Sequence, residues 1–449
     1  MLRSRNRGTI TWDRLADRLA AFSLGWIGHS ILVPLRRRSL RRLVGAQFLA
    51  ETGDGIVMIA MPLYVLAETG SAIAMSFTFA GEMLGGALLG VVGGVLADRF
   101  DRQRVLKASY LVRAILLVAA WLLSPVAAVV MLGVLARALG QLDNPSFDAL
   151  IPEQVDPDGS DLQQVLSLRR FIQGVSIVVG PAVGAFLVWG LGEQPTLGAA
   201  AWFFVGGIAI HLTLPGLDRG AAARRIENAE STWLDLVRGL GVILTTPFVR
   251  RLVLYWMLSM VMVSMAMAAA VVWFAETIDA ADYWYGLSIS AYGIGTASAT
   301  LVFGGRRFTM SLPGVLLIAA PVYAATCALC VVAEVPWLFP LGWLLWGLAF
   351  GPEIVRAEPE FVSRIESATL GRAYAGLNVG VTFGMSIGYA VAGPLLDRYG
   401  ARTTTYVTAV LILAVGAMWI GPARRHEGAA GAVAPTALDP HLTEVRSTH

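Results

Sequence analysis

The sequence predicts an all-α integral membrane protein with twelve transmembrane helices arranged as two six-helix bundles. Its 449 residues are 56% hydrophobic and only 14% charged, with a mean hydropathy of +0.66, whereas roughly a quarter of a soluble chain is charged. Apolar stretches of the roughly 20 residues needed to cross about 30 Å of hydrocarbon recur along the whole chain. Cytoplasmic loops retain basic residues, and thirty of the 34 Lys+Arg fall in segments that a twelve-span map assigns to the cytoplasm. Moving the count by one span inverts that asymmetry for every later loop, so both termini are expected inside.

Residues 1–42 form a cytoplasmic N-terminal extension. Within it Trp12, Leu15, Leu19, Phe22 and Trp26 recur at three- and four-residue steps, opposite Asp13, Arg14, Asp17 and Arg18. This spacing predicts an amphipathic helix lying on the membrane surface; a disordered leader is the alternative. A thirteenth span here would export Arg3, Arg5, Arg7, Arg14 and Arg18. The apolar run from Leu19 to Leu35 is broken by His29 and Pro34 and followed by Arg36, Arg37 and Arg38, which is not the pattern of a cleavable leader.

Six spans are expected over 43–67, 71–97, 105–123, 126–143, 165–189 and 197–214, making an N-terminal bundle of residues 43–214. The polar segment 215–249, with Arg224, Arg225, Glu227 and Glu230, reads as a cytoplasmic linker. A C-terminal bundle of residues 250–420 holds spans over 250–275, 283–304, 311–332, 336–355, 372–397 and 402–420. The Ala-, Gly- and Pro-rich residues 421–449 read as a disordered cytoplasmic tail.

The segment Gly93 to Leu106, GGVLADRFDRQRVL, joins spans 2 and 3 by a very short basic loop. It resembles the G-x-L-a-D-r-x-G-r-k-x-x-l signature of the major facilitator superfamily. Gly94, Leu96, Asp98, Arg99, Arg102 and Leu106 fall on its positions, and Asp101 stands where the signature has glycine. The resemblance covers roughly residues 41–420 and implies two bundles related by an axis along the membrane normal, with a substrate site between them. It also implies that Gly94, Asp98, Arg99 and Arg102 form a cytoplasmic gate whose charge cluster breaks when that side opens. A repeat of the loop is expected between spans 8 and 9, where Gly304-Gly305-Arg306-Arg307 occurs without the acid.

Ionisable groups in hydrocarbon cost roughly 2.5–3.5 kcal/mol each, which makes them functional candidates. Asp54, Glu82 and Arg137 all lie about 15–18 Å into their spans, near midplane, and Glu51 sits one turn from Asp54. A carboxylate facing Arg137 stays charged, and one stripped of water without a partner takes up a proton. Alternation between those conditions is proton coupling. Arg137, in LARALGQLDNP, resembles the fourth-helix arginine linked to proton transfer in the superfamily, although Gly140 and Gln141 reverse the motif's order. Arg113 is expected to be structural or to snorkel to the interface. Gly174, Gly180, Pro181 and Gly184 resemble the superfamily's antiporter motif, with Ser176 and Ala185 replacing two glycines.

Span 11 and its exit, GMSIGYAVAGPLLDRYGAR, together with ALIPEQVDP, is similar to the macrolide-efflux and enterobactin-exporter branch. The expectation is therefore a proton-coupled exporter of an amphipathic small molecule such as a drug, antibiotic or siderophore-like compound, acting as a monomer in the plasma membrane. Its expected partners are its cargo, protons and the bilayer, with no nucleic acid, metal or cofactor; the proton gradient is the energy source. The alternatives are an importer of a sugar or metabolite, and a non-transporting receptor or scaffold. Trp256, Trp273, Tyr292, Trp343, Trp346 and Phe383 are candidate cavity aromatics. An ATPase loop needs a Gly-Lys-Ser/Thr end, and the single lysine, Lys107, lies between Leu106 and Ala108. The five histidines are scattered without H-E-x-x-H, G-x-S-x-G is absent, and Cys327 and Cys330 read as small packing residues. No enzymatic chemistry is expected.

Overall fold

The computed structural model describes residues 33–151, 162–214, 241, 243–277, 283–304, 308–366 and 369–421, with the backbone alone for 91–99, 149, 162, 163, 277 and 333. The segment expected to form an amphipathic helix in the N-terminal extension, most of the linker, Gly305-Arg306-Arg307 and the tail from residue 422 lie outside the described residues, as do the side chains of Asp98 and Arg99 and the surroundings of Gly94.

Among the described residues, each of the twelve expected spans is helical. The helices are α1 (Arg38–Thr69), α2 (Ala72–Arg99), α3 (Arg102–Leu122), α4 (Val126–Leu139), α5 (Leu162–Leu191) and α6 (Glu193–Leu212), then α7 (Pro247–Val272), α8 (Tyr283–Phe303), α9 (Leu312–Ala333) and α10 (Leu338–Val362). The last helical stretch, Leu370–Ala417, is one continuous run of 48 residues. It divides at Gly400, where φ 74° and ψ 171° leave the helical region, into α11 (370–399) and α12 (401–417). That conformation is open essentially to glycine alone, so one residue turns a single rod into two spans. A 3-10 turn at Gly140–Leu142 and a short helix, Asp143–Leu150, prolong α4.

Local chemistry explains the ends. Gly70, at φ 60°, closes α1 by donating its N–H to the Leu66 carbonyl, the left-handed cap that glycine supplies. Asp101 caps α3, its side chain accepting the Arg104 N–H at 3.0 Å. Asp101 has φ −59°, so the position where the signature has glycine needs no left-handed backbone here and takes a capping acid. Ser311 caps α9 in the same way, and Pro247 starts α7, where its missing N–H costs nothing. Large apolar side chains such as Leu88, Met131, Trp202 and Val302 are exposed on the outside, as expected of a surface solvated by lipid.

Helices α1 to α6 pack together, α1 lying against α5 and α6 and α3 against α4 and α6; in the second half α8 packs on α10 and α7 on the α11–α12 rod. The halves meet through α2 against α11 and α5 against α8. Those contacts lie on the membrane side away from the arginine-rich loops. Gly393 of α11 is packed against Ile73 and Ser76 of α2, Phe79 stacks on Tyr389 with centroids 4.5 Å apart, and Ser290 donates to the Val178 carbonyl at 2.7 Å. On the arginine-rich side, the described ion pair crossing between halves is Arg170 to Glu358 at 3.5 Å, and it is largely exposed.

Candidate functional site: a charged cluster beside a polar cavity

The stripe Gln47, Glu51, Asp54, Gly55 and Met58 follows helical spacing along one face of α1 and lines a cavity of about 310 Å³ with Arg137, Gln141 and Asn144. Volumes of roughly 300–1,000 Å³ are usual for small-molecule sites. Small residues bring the other helices close to this face. A Cβ at Gly55 would lie 2.7 Å from the Gly180 Cα, and one at Gly184 would lie 2.9 Å from the Ile56 Cα, so α5 crosses α1 backbone to backbone. Two of the antiporter-motif glycines therefore have a structural task. Gly174 has no neighbour within 4 Å of where its Cβ would be, and takes no part in this packing. On its other side the motif meets the second half, since Pro181 and Ala185 pack on Gly286 of α8.

Asp54, Glu82 and Arg137, predicted to converge, do so. Arg137 Nε donates to Glu82 Oε2 at 3.3 Å, and its Nη1 donates to the Asp54 carbonyl at 3.0 Å and lies 3.5 Å from Asp54 Oδ1. Arg113 corrects the snorkelling expectation: its side chain is 1% exposed. Its Nη2 pairs with Asp54 Oδ1, its Nη1 donates to Asp143 Oδ2 at 2.7 Å, and its guanidinium lies 4.1 Å from the Phe204 ring centroid. Gly140 makes room for it, a Cβ there falling 3.1 Å from the guanidinium carbon. Asp54 is thus shared by two arginines, whereas Glu82 and Asp143 each serve one. It is also the most exposed of the three acids, with side-chain exposures of 24% for Asp54 against 1% for Glu82 and 4% for Asp143.

Glu51 belongs to a separate network one turn nearer the arginine-rich side. Arg169 of α5 donates from Nη1 to Glu51 at 3.1 Å, from Nε to Asp148 at 3.1 Å and from Nη2 to Asn144 at 3.0 Å. Gln47 donates to Glu51 at 3.1 Å and accepts from the Tyr110 hydroxyl at 2.9 Å. Arg102, at the start of α3, is buried, and its neighbour Gln103 donates to the His211 carbonyl at the end of α6.

Sequence reasoning missed two buried acids. Asp143 falls at the end of the expected span 4, but the turn at Gly140–Leu142 carries it back under Arg113. Glu353 falls near the end of the expected span 10, but α10 runs on to Val362 and leaves Glu353 1% exposed. Of the candidate aromatics, Trp256 donates to Glu353 at 3.1 Å, Tyr292 and Trp346 line a small cavity beside it, and Phe383 is exposed. The described residues contain no cluster of His, Cys, Asp and Glu able to hold a metal ion.

The family model described as the Major Facilitator Superfamily matches residues 43–355. The multidrug efflux pump Tap of Mycolicibacterium fortuitum is 26% identical over 400 residues, covering 85% of this chain and 95% of that protein. Macrolide efflux protein A of Streptococcus pyogenes is 24% identical over 381 residues, covering 81% and 90%. Among solved structures, the nucleoside transporter NupG superposes with a TM-score of 0.68 at 15% identity over 86% of this chain and 100% of its own. A POT family transporter in complex with 5-aminolevulinic acid gives 0.66 at 10% identity over 86% and 96%. At those identities the structural likeness speaks for the fold.

Proposed function

We propose that this chain, which belongs to the Major Facilitator Superfamily and is a multi-pass membrane transporter rather than an enzyme, exports an amphipathic small molecule in exchange for protons by alternating access. The observation that carries the proposal is a charge count. Two guanidinium groups, Arg113 and Arg137, face three carboxylates, Asp54, Glu82 and Asp143. With every acid ionised, one negative charge is left over in a region where net charge is costly. A single proton removes it. Asp54 is the group placed to carry that proton, because it is the most exposed of the three acids and faces the cavity. Once Asp54 is neutral, Arg113 retains Asp143 and Arg137 retains Glu82, two matched pairs.

The coupling follows from which helices those pairs join. Asp54 on α1 ties α3 and α4 to the helix that α5 crosses at Gly55 and Gly180, and α5 carries the contact with α8 of the other half. Protonation loosens the tie; deprotonation restores it. The halves are closed on the side away from the arginine-rich loops, which corresponds in this reading to a cavity facing the cytoplasm of a plasma-membrane protein. One proton falling through about 100 mV releases roughly 2.3 kcal/mol, and a further pH unit adds about 1.4 kcal/mol, so one exchanged proton supports a cargo gradient of order a hundredfold. The efflux proteins at 26% and 24% identity support the outward direction.

The test is transport by everted membrane vesicles given an imposed pH gradient, acid inside, with ethidium, erythromycin and a hydroxamate siderophore as probes. Accumulation that collapses on adding a protonophore supports export by proton exchange. Uptake of a sugar or nucleoside by right-side-out vesicles, with no accumulation of any probe in everted ones, would replace it with the importer reading.

A further inference from the structure

Glu353 is the one described buried acid that the coupling scheme above does not use. Its Oε1 accepts from Trp256 Nε1 at 3.1 Å, and its Oε2 accepts from the hydroxyls of Tyr323 at 3.2 Å and Tyr255 at 3.4 Å. These donors come from α7 and α9, and the ring of Tyr292 on α8 completes the wall of the adjoining cavity. From α12 the site receives only Ile412 and Val415. Arg356, one turn further along α10, makes no described ion pair with it. Among the described residues, every group that touches this carboxylate is neutral.

The two halves thus treat a buried acid differently. Arg113 and Tyr323 each lie eleven residues beyond the first residue of their helices, Arg102 of α3 and Leu312 of α9, and each reaches an acid on the next helix, Asp143 or Glu353. Where the first half answers its acid with a guanidinium, the second offers phenols and an indole. A neutral set of donors solvates a carboxylate without cancelling its charge.

Those donors also suit the protonated acid. The indole N–H can only donate and stays on Oε1, whereas a tyrosine hydroxyl can turn from donor to acceptor and take the hydrogen bond of a carboxyl O–H at Oε2. Both protonation states are therefore satisfied without moving a side chain. The adjoining cavity, about 30 Å³, admits about two waters and is far too small for a drug-sized cargo, so its size selects a proton carried by water as the occupant.

We propose that Glu353 is a second proton-binding site, in the C-terminal half, that exchanges its proton in the same transport cycle that Asp54 drives. The inference rests on the proton-coupled reading for its place in the cycle, but the site itself can be tested without transport. Purified full-length protein, compared with its E353Q form, would be examined by infrared difference spectroscopy between mildly acid and alkaline buffers. The expected result is a buried carboxyl C=O stretch present in acid, lost in E353Q and shifted in Tyr323→Phe, which keeps the acid but removes one hydroxyl. The Tyr323→Phe shift keeps the assignment testable even where E353Q folds poorly. In proteoliposomes carrying a pH-sensitive dye, protons moved per ethidium exported should fall by about half in E353Q. No E353Q-sensitive carboxyl band, or an unchanged proton-to-ethidium ratio, would overturn the inference. Wild-type export of ethidium without any proton movement would instead remove the proton-coupled reading and, with it, the role of this site in the cycle, while the infrared band would still report whether the acid binds a proton.

Discussion

Replacing Arg113 by methionine keeps an unbranched side chain of similar reach and deletes the charge that holds Asp54 and Asp143 together. Removing one partner of a buried ion pair costs about 3–5 kcal/mol, because the other partner is left charged and dry. Here one guanidinium serves two carboxylates and lies over the Phe204 ring at 4.1 Å, which places the expected loss toward the upper end of that range. The assay is denaturant unfolding of the purified protein in detergent, followed by circular dichroism. Adding Asp143→Asn removes the stranded charge, so R113M/D143N should recover about 0.5–3 kcal/mol relative to the sum of the single changes. Arg113→Lys should fall between wild type and R113M, since a compact ammonium cannot fork to two acids. A loss below about 1 kcal/mol in R113M, or strict additivity in the double variant, would refute the claim that this arginine neutralises both carboxylates in a buried site.

Other substitutions separate close packing from composition. Gly55→Val puts a branched side chain against the backbone of Gly180, where overpacking costs about 1–3 kcal/mol, while Gly174→Ala, in open space, should leave thermal stability and transport unchanged. Gly400→Ala forces a Cβ into φ 74°, ψ 171° at a cost of about 1–3 kcal/mol, to be read as a lowered unfolding temperature in detergent. Arg170→Ala, which removes an exposed pair with Glu358, should change stability by no more than about 1 kcal/mol in the same measurement.

Asp54, Glu82 and Arg137 were legible in the sequence because a charge inside an apolar run stands out, and the 1.5 Å rise per residue fixes its depth. Depth alone identifies groups that can meet; it does not say which helices are neighbours. That is why Arg113 reads from the sequence as either structural or interfacial: the partners that make it structural come from α1 and from beyond α4, a juxtaposition set by tertiary packing. Asp143 and Glu353 fall at the ends of the expected spans 126–143 and 336–355, where an acid reads as a solvated terminus, whereas α10 and the α4 extension continue past them. The capping role of Asp101 and the break at Gly400 are local, and both could have been read from an acid before a helix start and from Gly-Ala-Arg between two apolar runs. Gly180 and Gly184 were recognised as small residues, but that they press on Gly55 and Ile56 depends on where α5 crosses α1.

The most direct measurement concerns Asp54 as the carrier of the exchanged proton. Everted vesicles bearing wild-type or Asp54→Asn protein, matched for expression, would be loaded with a pH-sensitive dye and given ethidium under an imposed gradient. The expected result is that Asp54→Asn still binds ethidium and exchanges it down its own concentration gradient, but neither accumulates it nor moves protons. Accumulation at the wild-type level, with protons moving alongside, would contradict the placing of the coupling site between Arg113 and Arg137.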